Sequence, residues 1–265
     1  MTYRPVQNYR GNEADLPQLM AGEIGVTTDT RKLFFGAGGN QEVARVGYVP
    51  TMTTADIDYY VAPDGSDETG DGSETKPFKM IQHALDLIPD IIKHNVTINL
   101  APGATFSESI ILAYKFGGGI TIKSSDKSTI NGSGLFRRII SNLILENLDF
   151  VLQETITDHG VLSFGGCSTI GVLNTTVNGN EKDITAFYFA GGSHGEVSTS
   201  SSALNCKHVI FCTGQSSIFV YDMGPGSGNT GTGLVAQNGI IYKGASGFPS
   251  AETAESQSLG GQIFN

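Results

Sequence analysis

The sequence predicts an all-β chain wound as a parallel β-helix, with an N-terminal capping α-helix and a small β-rich module in front. Three observations carry this. The 265 residues hold 35 Gly, no Trp and only 16 % charged side chains, a composition that suits short strands and many tight turns. A plan of short apolar run plus small-residue corner recurs in VLSFGGCST (161–169), FYFAGGSHG (187–195), IFCTGQSSI (210–218) and IYKGASGF (241–248). Residues 58–100 then read as strand, turn-rich loop, amphipathic helix and strand.

Residues 1–47 form a unit of their own. β-like pieces at Glu23–Thr27 and Lys32–Phe35 are joined by Thr28-Asp29-Thr30-Arg31, a hairpin turn. So short a unit is a poor independent core. Leu16, Leu19, Met20, Ile24, Val26, Leu33, Phe34 and Phe35 gain more by meeting copies of themselves, and closed symmetry meets that need. The pattern Leu16-Pro17, Leu19, Gly22-Glu23-Ile24-Gly25, Thr28-Asp29-Thr30, Lys32-Leu33-Phe34 and Gly36 resembles the N-terminal domain of phage tail-fibre and tropism-determinant proteins. That resemblance implies a small trimeric β-domain at the attachment end of a fibre, hence a homotrimer that binds other virion proteins. An ordinary β-hairpin domain is the alternative. Residues 48–57 read as an extended linker, from Pro50 and the Thr run.

Residues 58–95 read as the cap. Tyr59-Tyr60-Val61 is a short strand, and Pro77 suits the first turn of a helix. Phe78, Ile81, Leu85, Ile88 and Ile92 recur at helical steps, with Pro89 expected to kink or end the helix. Val96–Leu100 alternates as a strand does. The run YYVAPDGSDETGDGSETKPFKMIQHALDLIP resembles the N-terminal cap of the pectate-lyase-like right-handed parallel β-helix proteins. The resemblance implies a fold and leaves the chemistry open.

Residues 96–248 read as coils. Strand-like segments lie at Val96–Leu100, Ser109–Leu112, Gly119–Lys123, Ile139–Leu145, Val161–Phe164, Ala186–Phe189, Val209–Cys212 and Ile240–Tyr242. Val161, Phe164, Ile210 and Phe211 are expected to face the core. Cys167, Ser193, Ser216 and Ser246 mark one corner, and Asn147, Asn174, Asn205 and Asn238 a second, where Asn tolerates left-handed backbone and can form a ladder. An antiparallel sandwich is the alternative. Residues 224–233 read as a flexible loop, and 249–265 as a loose tail or a strand swapped onto a neighbour.

The formal net charge of -10 argues against nucleic acid and anionic membrane as partners and is compatible with neutral glycans. Cys167, Cys206 and Cys212 form no CxxC pair and read as buried free thiols. Met1–Arg10 is polar and not a secretory signal, and no apolar run reaches the roughly 20 residues of a membrane span, so synthesis in a reducing cytoplasm is expected.

Glycosidase chemistry needs two neighbouring carboxylates. Ser193-His194-Gly195-Glu196 and Thr157-Asp158-His159-Gly160 only faintly echo known motifs, and Arg137-Arg138 is the sole basic pair of the coils. Asp64, Asp67, Glu68 and Asp71 offer oxygens to calcium without the EF-hand spacing. The expectation is therefore no catalytic residue, no metal and no cofactor. The candidate glycan-binding residues are Tyr188, His194, Tyr221 and Asp222. The expected role is a virion tail fibre, appendage or baseplate component that attaches to a host-surface glycan without turnover. A tailspike depolymerase and a structural head fibre or decoration protein are the alternatives.

Overall fold

The computed structural model describes residues 8–21, 23–30, 32–36, 39–45, 52–156, 159–244 and 248–265. The chain divides into two units, 1–51 and 52–265, each taken by itself.

In the first unit four strands form one sheet: β1 (Asn8–Gly11), β2 (Ile24–Thr27), β3 (Lys32–Gly36) and β4 (Asn40–Arg45). β2 and β3 are the expected hairpin, with Ile24 opposite Phe35 and Val26 opposite Leu33. The Thr27 hydroxyl locks the turn by accepting the Lys32 N–H at 2.9 Å. Side chains alternate as the pleat dictates. Leu19 and Phe34 are buried on one side, while Ile24, Val26 and Phe35 stand exposed on the other. Arg31 lies outside the described residues.

The second unit is a parallel β-solenoid of about 7 turns. With 57 % strand and 4 % helix, the chain is all-β. Successive coils lay strands onto three faces. Face A stacks Ile57–Val61, Ile91–Leu100, residues 119–124 and 142–146, then Thr169–Leu173, His194–Ser198, Ser217–Val220, Ile240–Lys243 and Gln262–Phe264. Face B stacks 110–116, 134–140, Gly160–Gly165, Thr185–Ala190, His208–Thr213, Asn229–Gln237 and Ala251–Ser258. Face C is narrow, with Thr105–Phe106, 128–130, 148–151, Thr176–Asn178 and Ser202–Leu204.

Parallel register puts like positions above one another, so the core is a set of ladders. One runs Leu112, Phe136, Phe164, Phe189, Cys212 and Ala236 on face B, all buried. Its rings stack with centroids 5.3 and 4.9 Å apart. Truncating Phe164 to Ala would cost about 3–5 kcal/mol at such a site. Phe211, expected inside, faces outward beside Tyr188, because its odd position on the strand has the opposite parity to Ile210 and Cys212.

The corners are built on left-handed backbone. Between faces B and A one position recurs through Tyr114, Arg138, Gly166, Gly191, Gly214, Asn238 and Leu259, with φ between 50° and 67°. The four asparagines read as one ladder all have positive φ, but they sit at three corners. Asn174 donates to Asn147 Oδ1 at 2.7 Å in a true ladder, and Asn205 donates to Asn178 Oδ1 at 3.2 Å at the second corner. Asn238 belongs to the third. Cys167, Ser193 and Ser216 do stack: the Cys167 and Ser193 N–H groups donate to the Ser193 and Ser216 hydroxyls at 3.1 and 3.0 Å. The next coil places Gly239 there, and Ser246 lies outside the described residues.

The long capping helix expected over Phe78–Ile92 is not clearly present. Helix α1 spans Ile81–Asp86 only, and Ile92 enters the core from a strand. Pro89, followed by that strand, cuts the helical run short. The apolar stripe is buried nonetheless. At the other end, residues 229–233 of the expected flexible loop form strand, and the expected tail supplies Ala251–Ser258 and Gln262–Phe264 to this chain's own solenoid. Glu255 and Gln257 take the register positions that Leu234 and Ala236 fill one coil earlier, and Glu255 pairs with Lys243.

Candidate functional site

The outer surface of face A brings chemistry-bearing side chains together in its later coils. His194 opens one strand, and its Nδ1 lies 2.7 Å from Ser217 Oγ on the next coil. Glu196 points outward two residues on, and the Tyr221 hydroxyl donates to its Oε2 at 2.9 Å. Directly after Glu196 in register come Phe219, Tyr242 and Phe264. These three rings stack at 4.8 and 5.5 Å between centroids, yet they are 53 %, 36 % and 42 % exposed. Stacked rings cover one another's faces, so the row shows water an apolar ridge of ring edges.

A groove of about 440 Å³ lies beside the first end of this row. Ile144, Leu173 and Phe219 give it apolar walls, Gly171 part of its floor, and His194 and Glu196 polar edges. No family model, no curated protein and no solved structure matches the chain.

Of the sequence candidates, His194 and Tyr221 therefore share this face. Asp222 follows at the adjoining corner with φ 50°, its carbonyl accepting the Ser200 N–H at 2.7 Å. Tyr188 is elsewhere, on face B, its ring tilted against those of His159 and Phe211 at 4.9 and 5.6 Å between centroids. Burial pushes its hydroxyl pKa up. Tyr188 lines a separate groove of about 270 Å³ with Arg137, His159 and Ser163. Residues 157–158 of the echo motif beside His159 lie outside the described residues.

Sequence reasoning missed Gly171, Tyr242 and Phe264. The spacing of Phe219, Tyr242 and Phe264 matches one coil, but Phe264 falls in the segment read as a tail. A further groove of about 590 Å³ on the early coils of face A is lined by Tyr60, Glu74, Asn99, Lys123, Glu146 and Asn147.

Glu196 stands in register between Gly171 and Phe219, so its row holds no carboxylate on the adjacent coils. Among the described residues, no cluster of three or more His, Cys, Asp or Glu could hold a metal. In the acidic loop, Asp67 Oδ1 accepts the N–H groups of Lys79 and Met80 at 2.8 and 3.1 Å, and Asp71 Oδ1 that of Ser73 at 3.0 Å. Those carboxylates fold the loop.

Proposed function

We propose that the protein is a bacteriophage virion component, a tail-fibre, appendage or baseplate protein, that attaches to a host-surface glycan through the outer surface of face A without cleaving it. The observation that carries this is the solvent-facing row Phe219, Tyr242 and Phe264 next to the Tyr221–Glu196 pair. A soluble chain gains nothing by holding three large rings in water on a solenoid whose core is already filled, whereas an apolar patch edged by hydrogen-bonding groups suits an amphipathic ligand. The N-terminal resemblance and the exposed apolar side of its hairpin support assembly as a homotrimer on other virion proteins.

A depolymerase is the second reading. It is favoured by Glu74 and Glu146, two carboxylates lining the one 590 Å³ groove. One experiment separates the two. Purified protein is incubated with host envelope polysaccharide, and both retention and new reducing ends are measured. Retention without reducing ends is expected. Reducing ends that vanish in Glu74→Gln or Glu146→Gln would establish the enzyme instead.

A further inference from the structure

We propose that the groove at Gly171 is a binding site for an uncharged pyranose ring; this rests on the attachment reading and states where the ring sits. The starting point is a glycine that the backbone does not require. Gly171 lies mid-strand in Thr169–Leu173, outside the left-handed region, and a Cβ added there would meet one atom, Ile144 Cγ1, at an ordinary 3.7 Å. Gly195 on the next coil is different, since its Cβ would come within 2.3 Å of the Ile170 carbonyl oxygen. A glycine inside a strand weakens it and frees space for a close approach from outside.

What the missing side chain does is open the groove. The outward row reads Ile144, Gly171, Glu196, Phe219, so the gap falls between an isoleucine and a carboxylate. Tyr242 stacks on one side of the Phe219 ring, Glu196 is its register neighbour on the other, and both Phe219 and Glu196 line the groove. A ring wall and aliphatic neighbours fit the C–H face of a sugar. His194, Glu196, Ser168 and Asn142 supply donors and acceptors for its hydroxyls. The volume of about 440 Å³ is of small-ligand size.

The electrostatics select the class of sugar. Among the described residues that line the groove there is no Lys or Arg and Glu196 is the one carboxylate, and the chain carries -10 overall. An anionic sugar would be desolvated beside a like charge with no cation to meet it. Uncharged pyranoses escape that cost.

The test is saturation-transfer NMR on the full chain with methyl β-glucopyranoside, methyl α-mannopyranoside and methyl N-acetyl-β-glucosaminide, against glucuronate and N-acetylneuraminate. Uncharged glycosides should bind and the acids should not. Gly171→Ile, which fills the groove with a residue suited to strands, should weaken binding at least tenfold while melting at or above the wild-type temperature. Phe219→Ser, at an exposed position, should do the same should the first variant fold poorly. Equal binding of the acids, or of none of the glycosides, overturns the assignment. Gly171→Ile and Phe219→Ser chains that retain host envelope polysaccharide at wild-type strength overturn the groove and leave the attachment reading standing. A wild-type chain that retains no envelope polysaccharide overturns both.

Discussion

The side-chain amide of Gln82 pairs with the backbone of Ile111 as a strand residue would: its Nε2 donates to the Ile111 carbonyl at 3.0 Å and its Oε1 accepts the Ile111 N–H at 2.7 Å. Ile111 lies on the first full strand of face B, whose other side pairs with Leu135. Its free edge would otherwise be a template for another chain. Helix α1 is too short to be stable alone. Glu108 fixes it, accepting the Ile81 and Gln82 N–H groups at 2.8 and 2.9 Å, although burial pushes that carboxyl's pKa up. Gln82→Ala should cost about 1–2 kcal/mol, as three exposed hydrogen bonds, two with Ile111 and one to Asp86 Oδ1, pass to water. Hydrogen exchange checks it: the Ile111 amide should lose protection while amides of the later coils keep theirs. An unchanged Ile111 amide would show that Gln82 does not guard the edge.

His208 gives the fold a pH dependence of known sign. Burial, with Lys207 beside it, holds the imidazole below its ordinary 6.5. Its Nδ1 accepts the Thr232 N–H at 3.1 Å, which a neutral ring can do and a protonated one cannot. Above the unfolded value the ring is neutral in both states, and this contribution is fully present. As pH falls, the unfolded chain takes the proton first, so stability drops until the folded pKa is passed. Denaturant midpoints should therefore fall between about pH 7.5 and pH 5, and less steeply in His208→Gln. Identical slopes in the two proteins would remove His208 from the account.

The three thiols should be silent in the native protein. Cys167, Cys206 and Cys212 are free and buried. Desolvation raises all three, Cys206 to about 12 and Cys212 to about 11. The thiolate is the reactive form, so little of it exists near neutrality. A thiol reagent at about pH 8 should label none of them in minutes and all three after unfolding. Rapid native labelling of any one would mean that its coil opens readily.

Much of the solenoid is legible because burial imposes alternation: Val96, Ile98 and Leu100 face inward and are read as strand at once. Face C escapes detection. Its strands, such as Thr176–Asn178 and Ser202–Leu204, bury a single apolar residue each, Val177 or Ala203, and one residue has no period. Composition misleads at 224–233. Gly226 and Gly231 are there because a Cβ would strike the Ala203 and Lys207 carbonyl oxygens at 2.2 and 2.5 Å, a demand of close stacking that reads from sequence as flexibility. The asparagine thread fails for a related reason: all three corners use left-handed residues, and coil lengths vary, so the same signal appears at unrelated places. For the site, His194 and Tyr221 were visible as residue types. Gly171 was not, since only the coil register shows that its missing side chain leaves a gap.

The N-terminal unit yields the last prediction. Ile24 faces Phe35 and Val26 faces Leu33 across the β2–β3 hairpin, so two apolar cross-strand pairs share the side opposite Phe34. Ile24, Val26 and Phe35 are 39 %, 38 % and 40 % exposed, and Met20 is 55 % exposed. Among the unit's described large apolar side chains only Leu19 and Phe34 are buried, too little to stabilise so small a sheet without further burial. Copies of the same face would bury it symmetrically, and three copies match the homotrimer expected from the sequence. Light scattering at micromolar concentration should return three times 28.0 kDa. Val26→Glu with Phe35→Glu places six like charges where three chains would meet, at positions the single chain leaves in water, so the double variant should run as a monomer with its solenoid melting transition intact. A wild-type chain that scatters as a monomer, or a double variant that remains trimeric, would remove this face as the seat of assembly.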